Sequence, residues 1–506
     1  MRARRLSLGC VLGLAAGLGA CTGSGSYVLV TVDARPAVHN ARSLSVTLAN
    51  GGTMRTDSLD LKGQAFPVTF SVSAPGRTGD LAITVDAVDE NSLVVGHGSA
   101  TTKVSAATTK VTLDPADFVV NTDYAGDQFP TDDPLSTGLQ LAALPDGTWT
   151  AVFRDSCMQS ACNVFARRFG ADGKPVTALA AAGTNAFVVT ARPSDTFTEP
   201  AVASSPAATV AMWDFTDPAP VNTTGLACRT LSSAGGLGGD QTTVSTDFML
   251  DAPVVAALPG GDFVVSWSGL PTGASVINVS HAIVKSDCTP PAKVQAIPTT
   301  ATFPISNAVA ASADHLLFTW VDGGALHANT TSSTSVLTPA DTVLIPQTAT
   351  DQVAHTRLAA VSGGGFAIAV RWLPRAGATT TGKIELYQLS PAGTLTGMPA
   401  LVTDQSGSDD EDFGFASRPD GTVLVAWHTC NTSGDVCTLS GRIMKATGEP
   451  VTDAFAIPTT TGGSQRRPSV IGLPDAFAVM WSDTSGKAPD TAGQAVRARI
   501  VYPPAP

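Results

Sequence analysis

Apolar and polar residues alternate in short runs along most of the chain. Between residues 27 and 113 the apolar positions fall at Val28/Val30/Val32, Leu44/Val46/Leu48, Val68/Phe70/Val72, Leu81/Ile83/Val85, Leu93/Val95 and Val111/Leu113. Period-two alternation broken by "NGG", "APGRTGD" and "DENS" predicts half-buried antiparallel strands joined by turns. Beyond residue 118 a longer period takes over. Seven segments, from "LAALPDGTWTAVF" to "SVIGLPDAFAVMW", combine small residues, a turn, an alternating strand and usually a tryptophan. Aligned, they end at Phe153, Trp213, Trp267, Trp320, Val370, Trp427 and Trp481, at intervals of 60, 54, 53, 50, 57 and 54 residues. Trp149 sits four residues before this register and Trp372 two after it.

Each unit also holds a third strand, as in "KIELYQL", and a fourth, as in "FAIPT". Four short strands repeated seven times predict a seven-bladed β-propeller over residues 114–506. Its first strands carry small pairs such as Ala142-Ala143, Ala310-Ala311 and Ala416-Ser417, suited to the crowded axis. The second strands place their large residues on one face to fill the gap between blades, so the tryptophans read as packing residues, with a carbohydrate-stacking platform as the alternative. The seventh unit lacks a fourth strand, and residues 118–122 resemble the missing one, so they are expected to close the ring. Residues 27–113 resemble a small immunoglobulin-like or fibronectin-like β-sandwich, read as a spacer. The G-x-F-x-V-x-W repeat resembles a degenerate motif of uncharacterised exported bacterial β-propeller proteins, which implies a fold and no specific activity. The fold class is thus all-β.

Composition sharpens this picture. Charged residues make up 14% of the 506 residues and hydrophobic residues 43%, so the chain can bury a core. A formal charge of -12 argues against a nucleic-acid partner. Residues 1–20 combine Arg2, Arg4 and Arg5 with an apolar run from Leu6 to Leu18, the pattern of an export signal. The run ends in Leu18-Gly19-Ala20-Cys21, which resembles the lipobox of bacterial lipoproteins. That resemblance implies lipidation of Cys21, a tether over residues 21–26, and an outer-membrane location facing periplasm or cell surface, because residue 22 is Thr rather than Asp. The remaining exported cysteines predict loop-clamping disulfides Cys157–Cys162 and Cys430–Cys437, with Cys228–Cys288 by elimination.

The chain carries no G-x-S-x-G, H-E-x-x-H, P-loop or EF-hand motif, and its seven histidines are dispersed. The face formed by second-to-third strand loops and blade crossovers is the candidate functional face. Its acidic residues are Asp123, Asp127, Asp132 and Asp133 before blade one, and Asp409, Asp410, Glu411 and Asp412 before blade six. Such clusters suit a hard cation of the calcium type. The alternative is a solvated loop neutralised by Arg357, Arg466 and Arg467 on neighbouring crossovers, with no cofactor. The expectation is a non-enzymatic binding or scaffold protein that presents this face to an envelope protein or glycan. The alternatives are a metal-assisted hydrolase or lyase using top-face carboxylates, and a structural envelope protein.

Overall fold

The computed structural model describes residues 27–504 except 123–138, 155–162, 177–185, 191–199, 217–222, 233–235, 250–251, 272–274, 292, 298–302, 333–340, 377–381, 407–412, 432–435 and 492. The described residues are all strand, turn and loop, and among them no helix is long and apolar enough to cross a membrane. The chain divides into two compact units, one ending at Ala116 and the other running from Asp117 to Pro506.

The first unit contains β1 (Tyr27–Ala34), β2 (Ser43–Asn50), β3 (Thr53–Asp60), β4 (Val68–Ser73), β5 (Asp80–Val88), β6 (Val94–Lys103) and β7 (Thr108–Pro115). They form one continuous sheet in the order β3-β2-β5-β6-β7-β1-β4, curled around a core that includes Val30, Val46, Ile83 and Val111. This corrects the sandwich expectation to a half-barrel. The join is made where Gly96 pairs with Pro115 and His97 with Asp114. A Cβ on Gly98 would lie 2.4 Å from the Thr112 carbonyl oxygen, so only glycine lets β7 approach there.

The second unit is a seven-bladed β-propeller. Blade one is built on an inner strand Leu139–Ala143 and a second strand Trp149–Arg154, and blade seven on Gln465–Gly472 and Phe477–Asp483. Each blade hydrogen-bonds its strands in an antiparallel meander from axis to rim. In blade seven the outermost strand is Phe118–Val119, paired with Ala495–Val501, and Val120 N donates to the Val496 carbonyl at 2.7 Å.

The tryptophans are packing residues. Trp149, Trp213, Trp267, Trp320 and Trp481 are essentially fully buried. Trp213, Trp267, Trp320, Trp372, Trp427 and Trp481 each sit in a cluster shared with the preceding blade. Trp149 stacks on Phe169 at 4.2 Å and lies 6.5 Å from Phe118 of the closing strand, so the aromatic seam also crosses the junction of blades one and seven.

A second repeated contact was not read from the sequence. Arg229 donates to the Val189 carbonyl at 2.8 Å, Arg442 to Val402 at 3.0 Å and Arg499 to Ile457 at 2.7 Å. Arg167 donates likewise to the Val120 carbonyl. All four occupy one register position on the third strand, opposite Ala151, Ala211, Val425 and Val479. Each therefore latches its blade to the outer strand of the blade before it with a charge-assisted hydrogen bond.

Closure is reinforced by a buried ionic clasp. Asp117 accepts from Thr459 N and Thr460 N, both at 2.7 Å, from Thr460 Oγ1 at 2.6 Å, and from Arg497 at 3.0 Å. Arg497 also pairs with Asp483 at 2.8 Å. The three ionised side chains are 1–4% exposed, with Asp117 held by paired cation and amide donors rather than left alone.

Candidate functional site

The inner strands of the blades surround the axis. A cavity of about 70 Å³ is lined by residues of blades one, five, six and seven, among them Gln140, Arg357, Gly414, Arg467 and Ser469. Gln140, Arg357, Gly414 and Ser469 share one level of the ring, since they pair with Val152, Ala369, Ala426 and Met480 on their second strands. Elsewhere that level carries small or apolar residues, such as Ala201 and Val254. Gly414 keeps the wall thin: a Cβ there would come within 2.5 Å of Val470 Cγ2 and 2.8 Å of the Pro468 carbonyl oxygen.

Local backbone irregularity shapes the rim. The inner strands of blades four, five and seven each carry a β-bulge, between Ile305 and Ala308, Val353 and His355, and Arg466 and Ser469. Ser306 and Arg467, inside two of them, have φ of 52° and 55°, a left-handed conformation that ordinary side chains adopt at a cost. Bulges re-aim the side chains they carry. In blade four the bulge ties neighbours together: Asn307 Nδ2 donates to Ser268 Oγ at 2.7 Å, and Thr356 N donates to Ser306 Oγ at 3.0 Å. In blade seven it brings Arg467 to the cavity that Arg357 also lines.

Just beyond the repeat aromatic, every second strand places one further residue: Arg154, Asp214, Ser268, Val321, Arg371, His428 and Ser482. Arg154, Ser268, Arg371, His428 and Ser482 are buried polar groups at the same level of five blades. The register of the aromatic would have located this ring in the sequence, because it is the next position in each repeat.

The sequence-derived candidates separate into two sets. Asp123, Asp127, Asp132, Asp133, Asp409, Asp410, Glu411 and Asp412, together with Cys21, Cys157 and Cys162, lie outside the described residues. Cys228 is bonded to Cys288, between blades two and three, and Cys430 to Cys437 across the tip of a hairpin in blade six. Arg357 and Arg467, first read only as partners for acidic loops, are cavity-lining residues.

No protein-family model matches the chain, and no curated protein matches it. Similar solved structures exist at low identity. The α-L-arabinofuranosidase Arb93A of Fusarium graminearum is 13% identical, with a TM-score of 0.38 over 60% of this chain and 92% of its own. The Penicillium chrysogenum α-L-arabinanase complexed with arabinobiose is 13% identical, with a TM-score of 0.40 over the same shares, 60% and 92%. The polysaccharide lyase Uly1 is 8% identical, with a TM-score of 0.47 over 76% of this chain and 93% of its own. These likenesses are to proteins named as glycan-processing enzymes and concern the fold alone; the expectation of a non-enzymatic binding or scaffold protein is corrected on physical grounds. The physical reason is that a propeller assembles a site from single residues on separate blades, so an empty search for contiguous catalytic motifs does not exclude an enzyme.

Proposed function

We propose that the protein is a carbohydrate-active enzyme whose substrate glycan carries anionic groups, and that the axial cavity holds one of those groups. The observation that supports this reading is the pair Arg357 and Arg467 lining one cavity of about 70 Å³ beside Gln140 and Ser469. That volume accommodates a few waters, or one carboxylate or sulfate group, with the sugar ring left at the mouth. Guanidinium groups recognise such oxyanions through paired hydrogen bonds. A cation beside a uronate carboxylate also stabilises the charge that develops when its α-proton is removed, and in hydrolysis it positions the ring.

The same reading includes export and attachment through a lipidated Cys21 to the outer membrane, where polymeric glycans are accessible. Labelling with a radioactive fatty acid tests that part, and Cys21→Ser should abolish it. For the activity, the full chain is assayed on uronate-containing, sulfated and neutral polysaccharides, following new reducing ends for hydrolysis and unsaturated uronate absorbance for elimination. Turnover of an acidic glycan, reduced at least about tenfold in Arg357→Gln and Arg467→Gln, is expected, in line with the loss of a charged hydrogen bond. Equal turnover of neutral glycans, or full activity in both variants, would refute the reading.

A further inference from the structure

Blade six carries a set of side chains that the glycan reading does not use. His428 and Cys430 lie two residues apart near the end of the second strand Thr422–Cys430, so they share a face. Cys437, the first residue of the third strand, is the direct cross-strand partner of Cys430. The register of one hairpin thus gathers an imidazole and two sulfurs whose potential ligand atoms all lie within 4.8 Å of one another. Cys437 is fully buried and His428 is 5% exposed, while Cys430 is half-buried, so the group meets solvent only on the Cys430 side.

We infer that this hairpin is a redox-gated site for a thiophilic divalent cation of the zinc type. In the disulfide form the two sulfurs are committed to each other, and the site is closed to metal. Transfer of two electrons and two protons from a dithiol reductant cleaves the sulfur–sulfur bond, oxidises the reductant to its own disulfide, and leaves two thiols. A divalent cation then displaces the two thiol protons and takes two thiolates and one imidazole nitrogen. This donor set satisfies three positions of a tetrahedral ion and leaves the fourth for water or a ligand. Two Cα atoms 3.9 Å apart on paired strands hold both sulfurs to one spot, so opening the bond leaves the donors gathered. The hairpin backbone supports this, with Asn431 N donating to the Val436 carbonyl at 2.9 Å and Cys437 N donating to Ser464 Oγ at 3.0 Å.

The test uses the full chain reduced with a phosphine, which binds metal poorly, and titrated anaerobically with Co²⁺ as the spectroscopic probe. A near-ultraviolet thiolate-to-cobalt charge-transfer band saturating at one ion per chain, absent before reduction and bleached by Zn²⁺, is expected. The band should vanish in Cys430→Ser and in Cys437→Ser. It should require about tenfold more Co²⁺ in His428→Gln, which retains the disulfide and serves as the variant least prone to misfolding. Native tryptophan emission confirms that each chain is folded. The inference is overturned if the reduced protein shows no saturable band. It is equally overturned if the band persists in the serine variants, or if His428→Gln binds Co²⁺ as tightly as the parent.

Discussion

Replacing Asp117 with alanine should open the ring. Asp117 lies directly before the closing strand, and its carboxylate receives two backbone amides, two threonine hydroxyls and the Arg497 guanidinium. Alanine removes all of these at once. It leaves Arg497 with Asp483 and with the carbonyls of Lys487 and Ala488, so the cation keeps partners and the loss is partial. Removing one member of a buried ion pair costs about 3–5 kcal/mol, and the stranded Thr459 and Thr460 amides place the expected loss in that range. The assay is urea unfolding followed by tryptophan fluorescence. All seven tryptophans lie beyond residue 148, so the signal reports the propeller and not the N-terminal unit. The midpoint should fall with little change in slope. Asp117→Asn, which keeps the shape and loses the charge, should fall between parent and alanine. An Asp117→Ala midpoint within error of the parent would refute the idea that this clasp seals the ring.

Three further outcomes are expected. Burial holds the His281 imidazole down at about pKa 4 against an unfolded value of 6.5, so the unfolded chain takes up a proton first as pH falls; that stability is complete above pH 6.5 and is lost between 6.5 and 4. Urea titrations at pH 7 and pH 4 should show ~2–3 kcal/mol of acid destabilisation that His281→Asn removes, and an unchanged pH dependence in the variant would contradict it. Arg229→Met and Arg499→Met should each lower propeller stability by about 1–2 kcal/mol and add in combination, because the latches belong to separate blades; strong non-additivity would count against independent latches. Gly414→Ala should cost about 1–3 kcal/mol in the same urea assay, because its Cβ has no room beside Val470, and it should also alter glycan turnover by shifting the cavity wall.

The repeat was legible because one packing requirement recurs: every blade must fill the wedge toward its neighbour, and Trp213, Trp267, Trp320, Trp427 and Trp481 answer it at one register. The continuity of the N-terminal sheet was not legible. It depends on the Gly96–Pro115 and His97–Asp114 pairs and on Gly98 admitting the Thr112 carbonyl, between strands that individually alternate as sandwich strands would. The axial cavity was hidden for a different reason. Arg357 and Arg467 lie 110 residues apart in the chain, and each looks like an ordinary crossover charge until bulges and register bring both to one wall. The latching arginines share this difficulty. They occupy blades one, two, six and seven, while the same position holds Ala282, Asn329 and Tyr387 in blades three, four and five.

The clasp between Asp117 and Arg497 also sets an order of events in the life of the chain. The two residues are 380 positions apart, so the first strand of the propeller to be synthesised must wait for the last one before it can pair. Blades two to six can collapse locally as they emerge, since their strands follow one another closely in sequence, but ring closure joins the most distant partners and is entropically the slowest contact to find. Until then, Ala495–Val501 presents an open sheet edge. A chain that stops short of that strand therefore never hides its edge, and remains open to proteases and to other unfinished copies. The pairing of Phe118–Val119 with Ala495–Val501 thus acts as a completeness check on the propeller, admitting to the closed form only molecules in which both strands have been made.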